Sequence, residues 1–245
     1  MLKLWNGTEF VTPAALKVWN GTAFVDPEAY IWDGSQFVKV WPPTPISFVG
    51  GYGLYQTSLS SIPVPAHQEG DTILFWSMLN SNTSSNTPSL APGFTSLFAR
   101  ANASSQQSRG VRLAMKVAES SSETIDGLSQ TSAGIVLVYR GVAGIGTLAA
   151  NHPTGSQLTL NYPAAPLTNT DGTSWGVRFR ASSGSSDSNP SLSPSTLRAG
   201  DDPEGDSFSA GYDSNGPISS GIAVASQAQV SGVYCAVSLE LLQHT

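Results

Sequence analysis

The sequence predicts an all-β protein: three short N-terminal β-hairpin repeats followed by an antiparallel β-sandwich. Three observations carry that expectation. A Trp-Asn-Gly or Trp-Asp-Gly unit recurs three times in the first forty residues. Beyond them, short apolar runs alternate with loops rich in Ser, Asn, Gly and Pro. No stretch keeps a helical period.

The repeats align as LKLWNGTEFV at 2–11, LKVWNGTAFV at 16–25 and AYIWDGSQFV at 29–38. Trp5, Trp19 and Trp32 lie 14 and 13 residues apart, and Phe10, Phe24 and Phe37 each follow a Trp by five. Between them stand Asn6-Gly7, Asn20-Gly21 and Asp33-Gly34, dipeptides that suit a two-residue type I′ turn with positive φ at both central positions. Such a turn would set Trp5 opposite Thr8 and Lys3 opposite Phe10. One face would then carry Lys3, Trp5, Thr8 and Phe10, and the other Leu2, Leu4, Glu9 and Val11. A lone hairpin is marginal in water, and one that is apolar on both faces must bury both. The repeats are therefore expected to dock and assemble, with Trp5, Phe10, Trp19, Phe24, Trp32 and Phe37 as the contact residues.

After the third repeat come Trp41-Pro42-Pro43-Thr44-Pro45, a stiff connector that no central strand can include. The expected division is a docking segment at 1–40, a linker at 41–45 and a sandwich at 46–245. Within the sandwich, TILFWSML at 72–79 is apolar on both strand faces, as a doubly covered strand requires. Residues 111–117, 135–139, 175–180 and 233–241 read as further strands, most of them alternating. About a dozen strands imply two packed antiparallel sheets, jelly-roll-like in outline. The loops NTPSLAP at 86–92 and NPSLSP at 189–194 resemble each other, with Pro88 and Pro190 separated by 102 residues. An internal duplication is the expected reading.

Composition narrows the function classes. Charged residues make up 11% of the 245, against about 25% in ordinary soluble domains. The net charge of −6 argues against a nucleic-acid partner, which wants a basic face. No apolar run is long enough for a membrane helix, the first ten residues lack the run of a secretion signal, and a single Cys forms no disulfide framework. A chain made in a cytoplasm yet surfaced like an extracellular one fits a particle released by lysis.

Candidate chemistry is sparse. His67, His152 and His244 are scattered without metal spacing, and no nucleophile elbow or phosphate loop is present. Cys235 shares a strand face with Val233 and Val237 and reads as a core residue. Asp71, Asp126 and Asp171 read as turn residues. Asp201, Asp202, Glu204 and Asp206 form a weak calcium candidate without EF-hand spacing, for which a solvated turn is the expected reading. Arg112, Lys116, Arg178 and Arg180 read as outward strand positions, a basic stripe or simply a solvated sheet face. No cofactor and no catalytic residue is expected.

Some of these segments also carry a family resemblance. AHQEGDTIL at 66–74, APGFT at 91–95, MKVA at 115–118 and VYRGV at 138–142 resemble the series of strand and loop motifs in β-sandwich modules of phage structural proteins. VSLEL at 237–241 resembles their closing strand, and the Leu-Lys-Val-Trp-Asn-Gly-Thr hairpins resemble those of phage minor tail proteins. The resemblance implies a non-enzymatic virion component, a tail or fibre protein anchored by its hairpins and projecting its sandwich toward host-surface glycan. A capsid decoration or head-fibre protein is the alternative, and a glycan-degrading spike a more distant one. Implied partners are other virion proteins and further copies of the chain, as a trimer, with neither nucleic acid nor membrane insertion. The implied location is the particle surface.

Overall fold

The computed structural model describes residues 4–11, 17–25, 27–32, 34, 37–41, 44–80, 86–101, 110–153, 155–183, 191–201 and 207–244. Every regular element among them is a β-strand, as the sequence predicts. Six short strands form the hairpins: β1 (Leu4–Trp5) with β2 (Phe10–Val11), β3 (Val18–Trp19) with β4 (Phe24–Val25), and β5 (Ala29–Trp32) with β6 (Phe37–Trp41). Each pair is its own two-stranded sheet.

Fourteen strands build the sandwich, in two sets of seven. The first set is β7 (Ser47–Tyr55), β8 (Ile62–Pro63), β9 (Thr72–Leu79), β10 (Thr95–Arg100), β11 (Gly110–Val117), β12 (Thr124–Ile125) and β13 (Ala133–Arg140). The second is β14 (Val142–Asn151), β15 (Gln157–Tyr162), β16 (Trp175–Ser183), β17 (Thr196–Gly200), β18 (Ser207–Asp213), β19 (Ala225–Gly232) and β20 (Tyr234–Gln243). One five-stranded sheet runs β10-β11-β9-β13-β7, and the other runs β17-β18-β16-β20-β14. The remaining strands pair as two small flaps, β8 with β12 and β15 with β19. Matching each strand to the one seven places later makes the two plans identical. The duplication legible in the two Ser/Pro loops is therefore a repeated seven-strand unit. Each sheet belongs to one half of the chain, whereas a jelly roll weaves its strands between sheets.

Side-chain alternation explains why the halves come together. On β9, Leu74, Trp76 and Met78 face the second sheet; on β16, Trp175, Val177, Phe179 and Ala181 face the first. Ladder registers make Trp76 and Phe179 counterparts, opposite Ile135 and Val237 respectively. The two rings stack with centroids 5.8 Å apart and planes 15° apart. This shared inner layer is mostly apolar, with Ser209 and Asp213 of β18 as buried polar members, and includes Cys235, which is buried as its strand phase predicts.

The outer face of each sheet is covered as well. Ile73, Phe75, Val136 and Val138 pack beneath the first flap against Leu59, Ile62, Ile125 and Leu128. That second cover is why β9 is apolar on both faces. The sandwich edges close differently. A Cβ on Gly53 would overlap the Gly200 carbonyl of β17, so the glycine-rich β7 admits a backbone approach that no larger residue allows. Across the sheets, Asp213 Oδ2 accepts hydrogen bonds from Tyr139 Oη at 3.0 Å and Arg198 Nε at 2.9 Å. Arg198 also lies over the Phe48 ring, 4.3 Å from its centroid.

Candidate assembly surface

The hairpins were expected to turn at Asn-Gly with Trp5 opposite Thr8. The structure corrects this: Trp5 pairs with Phe10, Trp19 with Phe24 and Trp32 with Phe37. The reason is the Asn side chain. Asn6 Oδ1 accepts the backbone N–H groups of Thr8 and Glu9, each at 2.9 Å, and the Thr8 hydroxyl at 2.8 Å. Asn20 does the same for Thr22 and Ala23 at 3.0 and 2.9 Å. A side chain that mimics a backbone turn holds Asn outside the left-handed region. Only the glycine has positive φ, 103° at Gly7, 102° at Gly21 and 108° at Gly34. The turn thus centres one residue later than a type I′ Asn-Gly turn would. Asp33 of the third hairpin lies outside the described residues.

The shifted register changes what the hairpin presents. Trp and Phe become a direct cross-strand pair on one face. Their ring centroids are 5.3 Å apart in Trp19–Phe24 and 5.2 Å in Trp32–Phe37, tilted by 59° and 63°. Edge-to-face pairs of this kind are worth about 0.5–1.5 kcal/mol beyond area burial, which helps so short a ladder hold. Most of each ring nonetheless faces solvent: Trp19 is 55% exposed, Phe24 70%, Trp32 58% and Phe37 71%, with Trp5 at 59%. The side chain of Phe10 lies outside the described set. On the opposite face of the second hairpin Val18 and Val25 are exposed too. Both faces of this two-stranded element are apolar and open.

The other candidate residues fall elsewhere. Asp201 is buried, and its Oδ1 accepts the Ser209 N–H at 2.5 Å, so this carboxylate closes back onto β18. Asp202, Glu204 and Asp206 lie outside the described residues. Among the described residues no cluster of three or more potential metal ligands occurs.

The basic stripe does not form. Arg112 and Lys116 sit on the first sheet; Arg112 bonds Pro88 O and Ser96 Oγ at 2.8 Å each, and Lys116 pairs with Glu119 and Glu123 at 3.2 and 3.0 Å. Arg178 and Arg180 belong to the second sheet, and both are buried. The stripe fails because the strand phase was right but the face is not solvated: β15 and β19 cover it. Asp71 is more than a turn residue, since its carboxylate binds Arg140 through two hydrogen bonds of 2.8 and 2.9 Å.

Sequence reasoning also passed over Glu240. Its oxygens accept four hydrogen bonds: Ser174 Oγ at 2.7 Å, and the N–H groups of Thr168, Asn169 and Thr147 at 2.7, 3.1 and 3.2 Å. Burial alone would raise its pKa, but these donors together outweigh burial and hold the carboxyl below its ordinary value. Nothing in the alternation of β20 distinguishes such a nest from a solvated position. A shallow cleft nearby is lined by Ala143, Thr168, Asn169, Asp171, Leu242, Gln243 and His244. The Asp171 carboxylate there is occupied by the Thr173 N–H and hydroxyl at 2.9 and 2.6 Å.

No protein-family model matches the chain, and no curated protein or solved structure does either.

Proposed function

We propose that this chain is a non-catalytic structural component of a bacteriophage virion, a tail or fibre protein. Its hairpins anchor it to neighbouring virion proteins or to further copies of itself, and its sandwich projects toward host-surface glycan. The observation that carries this reading is the row of cross-strand Trp–Phe pairs left open to solvent on successive hairpins. Fully burying a large apolar side chain is worth about 1.5–3 kcal/mol. Trp is among the residues that dominate interface energetics, and a soluble monomer rarely leaves so much aromatic surface uncovered. The low charge content and the resemblance of the hairpins to those of phage minor tail proteins support the same reading.

The test is incorporation. Virions are prepared with the full chain carrying Trp5→Ala, Trp19→Ala and Trp32→Ala together, and copies per particle are counted by mass spectrometry. The variant is expected to stay soluble and melt like the parent sandwich, while occupancy falls at least tenfold. Normal occupancy overturns the anchoring role, and absence of the parent chain from purified particles overturns the virion role. Separating heads from tails before counting decides between a tail location and a capsid decoration. A glycan array probed with the parent chain tests the adhesive role of the sandwich.

A further inference from the structure

Beneath the second flap, the sheet buries two guanidinium groups that pair with no carboxylate among the described residues. Because β16 alternates, Arg178, Arg180 and Ser182 point away from the shared core and toward β15 and β19. Arg180 is fully buried and Arg178 is 5% exposed. Arg180 donates through Nη1 to Gln227 Oε1 at 3.1 Å, and its guanidinium lies 4.2 Å from the Phe208 ring centroid. Among the described residues its Nε and Nη2 have no acceptor. Arg178 donates through Nη2 to Ala223 O at 2.7 Å and through Nη1 to Ser195 Oγ, and its Nε has no acceptor among the described residues. The hydroxyls of Ser182 and Ser238, on the same sheet face, are also without partners among the described residues.

Among the described residues no Asp or Glu forms an ion pair with either arginine. Glu240 shares the face, but its four donors are other groups. Arginine does not shed its proton in a protein interior, and an uncompensated buried cation is strongly destabilising. The architecture itself does not require the charges. Ladder positions in the first half place Phe75 and Ser77 where the second half has Arg178 and Arg180.

We propose that this face is an oxyanion site, taking a phosphate, sulfate or carboxylate group between Arg178 and Arg180. The free Nε of Arg178 and the free Nε and Nη2 of Arg180 supply charge-assisted donors, with Ser182 and Ser238 as neutral donors on the same face. Gln227 and Phe208 hold the Arg180 side chain in place. Gln227 is itself bonded to Tyr162 Oη at 3.0 Å and Ser191 O at 3.1 Å, so the flap strands and the site are locked together. Arg178, beside the exposed Ala223, marks the side of entry. The site is remote in sequence from the hairpins and does not depend on their role.

The experiment uses the full chain at fixed ionic strength in chloride, titrated with inorganic phosphate in one arm and with glucuronate, a sugar carboxylate, in the other. Melting is followed for the wild type, Arg178→Met and Arg180→Met. The wild type is expected to gain roughly 5 °C in Tm, saturating with at least one anion. Both variants are expected to lose that gain and, freed of an unpaired buried charge, to melt no lower than wild type in chloride. A saturating response to glucuronate alone assigns the site to an acidic sugar, and one to phosphate alone to a phosphoryl or free inorganic anion. A rise that does not saturate and is equal in all three proteins is general salt exclusion and overturns the proposal. Calorimetric titration of the wild type is independent of how the variants fold, and the absence of saturable binding of either anion overturns it equally.

Discussion

Under β8 and β12 the first sheet buries Ile73, Phe75, Val136 and Val138, a layer of hydrocarbon and aromatic carbon. Under β15 and β19 the second sheet, strand for strand the same, buries Arg178, Arg180, Ser182 and Ser238 among Tyr162, Phe208, Tyr212 and Tyr234. The two halves share one inner layer, built around the stacked Trp76 and Phe179. The contrast teaches that this inner layer suffices to define the seven-strand plan. The outer layer beneath each flap is then free to differ, apolar in one half and a polar network in the other.

The sharpest way to break the comparison is to move the charge. Phe75→Arg places a guanidinium where its counterpart Arg178 stands, but among Ile73, Val136 and Ile125 it finds no acceptor. A loss on the order of 4 kcal/mol or more is expected from urea unfolding. A midpoint close to wild type would show that both outer layers tolerate cations.

Glu240→Gln comes next, with an expected loss of about 1.5–3 kcal/mol, the range for hydrogen bonds to a charged group. Because the folded carboxyl titrates below its unfolded value, its contribution is present above the ordinary carboxylate pKa. That contribution is lost as pH falls through the lower, folded value. The Gln variant should therefore show a flatter acid limb when stability is measured against pH, and identical limbs would remove Glu240 as a source of acid sensitivity.

The edges give a smaller contrast. Ladder positions make Gly53 and Ala150 counterparts, opposite Ile135 and Val237. Gly53→Ala should cost about 1–3 kcal/mol through overlap with the β17 backbone, whereas Ala150→Gly should cost only about 0.5–1 kcal/mol. Equal losses would mean that the two edges are packed alike. The smallest effect is expected at Cys235, whose thiol burial pushes up to about 12. It should stay unlabelled by thiol reagents in native protein at pH 8 and react fully in denaturant. Rapid native labelling would place it outside the shared core.

Strand existence and phase were legible because alternation is a local property: Val233, Cys235 and Val237 share a face in the sequence and share the core in the fold. The doubly covered β9 was legible because both of its faces are apolar. What covers a polar face was not. Arg178 and Arg180 were placed on the correct side of their strand, but their chemistry suggests water. Their cover comes from β15, at 157–162, and from β19, at 225–232, distant in sequence from β16 or only weakly strand-like. The hairpin register was missed by a similar margin. Asn-Gly specifies a tight turn, but the capture of backbone N–H groups by the Asn carboxamide decides where that turn centres.

The strand orders also constrain when each native sheet can be complete as the chain is made. In each half the last strand occupies an interior position: β13 lies between β9 and β7, and β20 between β16 and β14. Neither sheet can therefore close by adding strands at its rim as the chain emerges. The first sheet stays split until residues 133–140 enter its gap, and the second until residues 234–243 do. The first half can complete its ladder while the second is still being made, leaving the face that carries Trp76 uncovered until the second sheet arrives. During that interval the first sheet's inner face is open apolar surface.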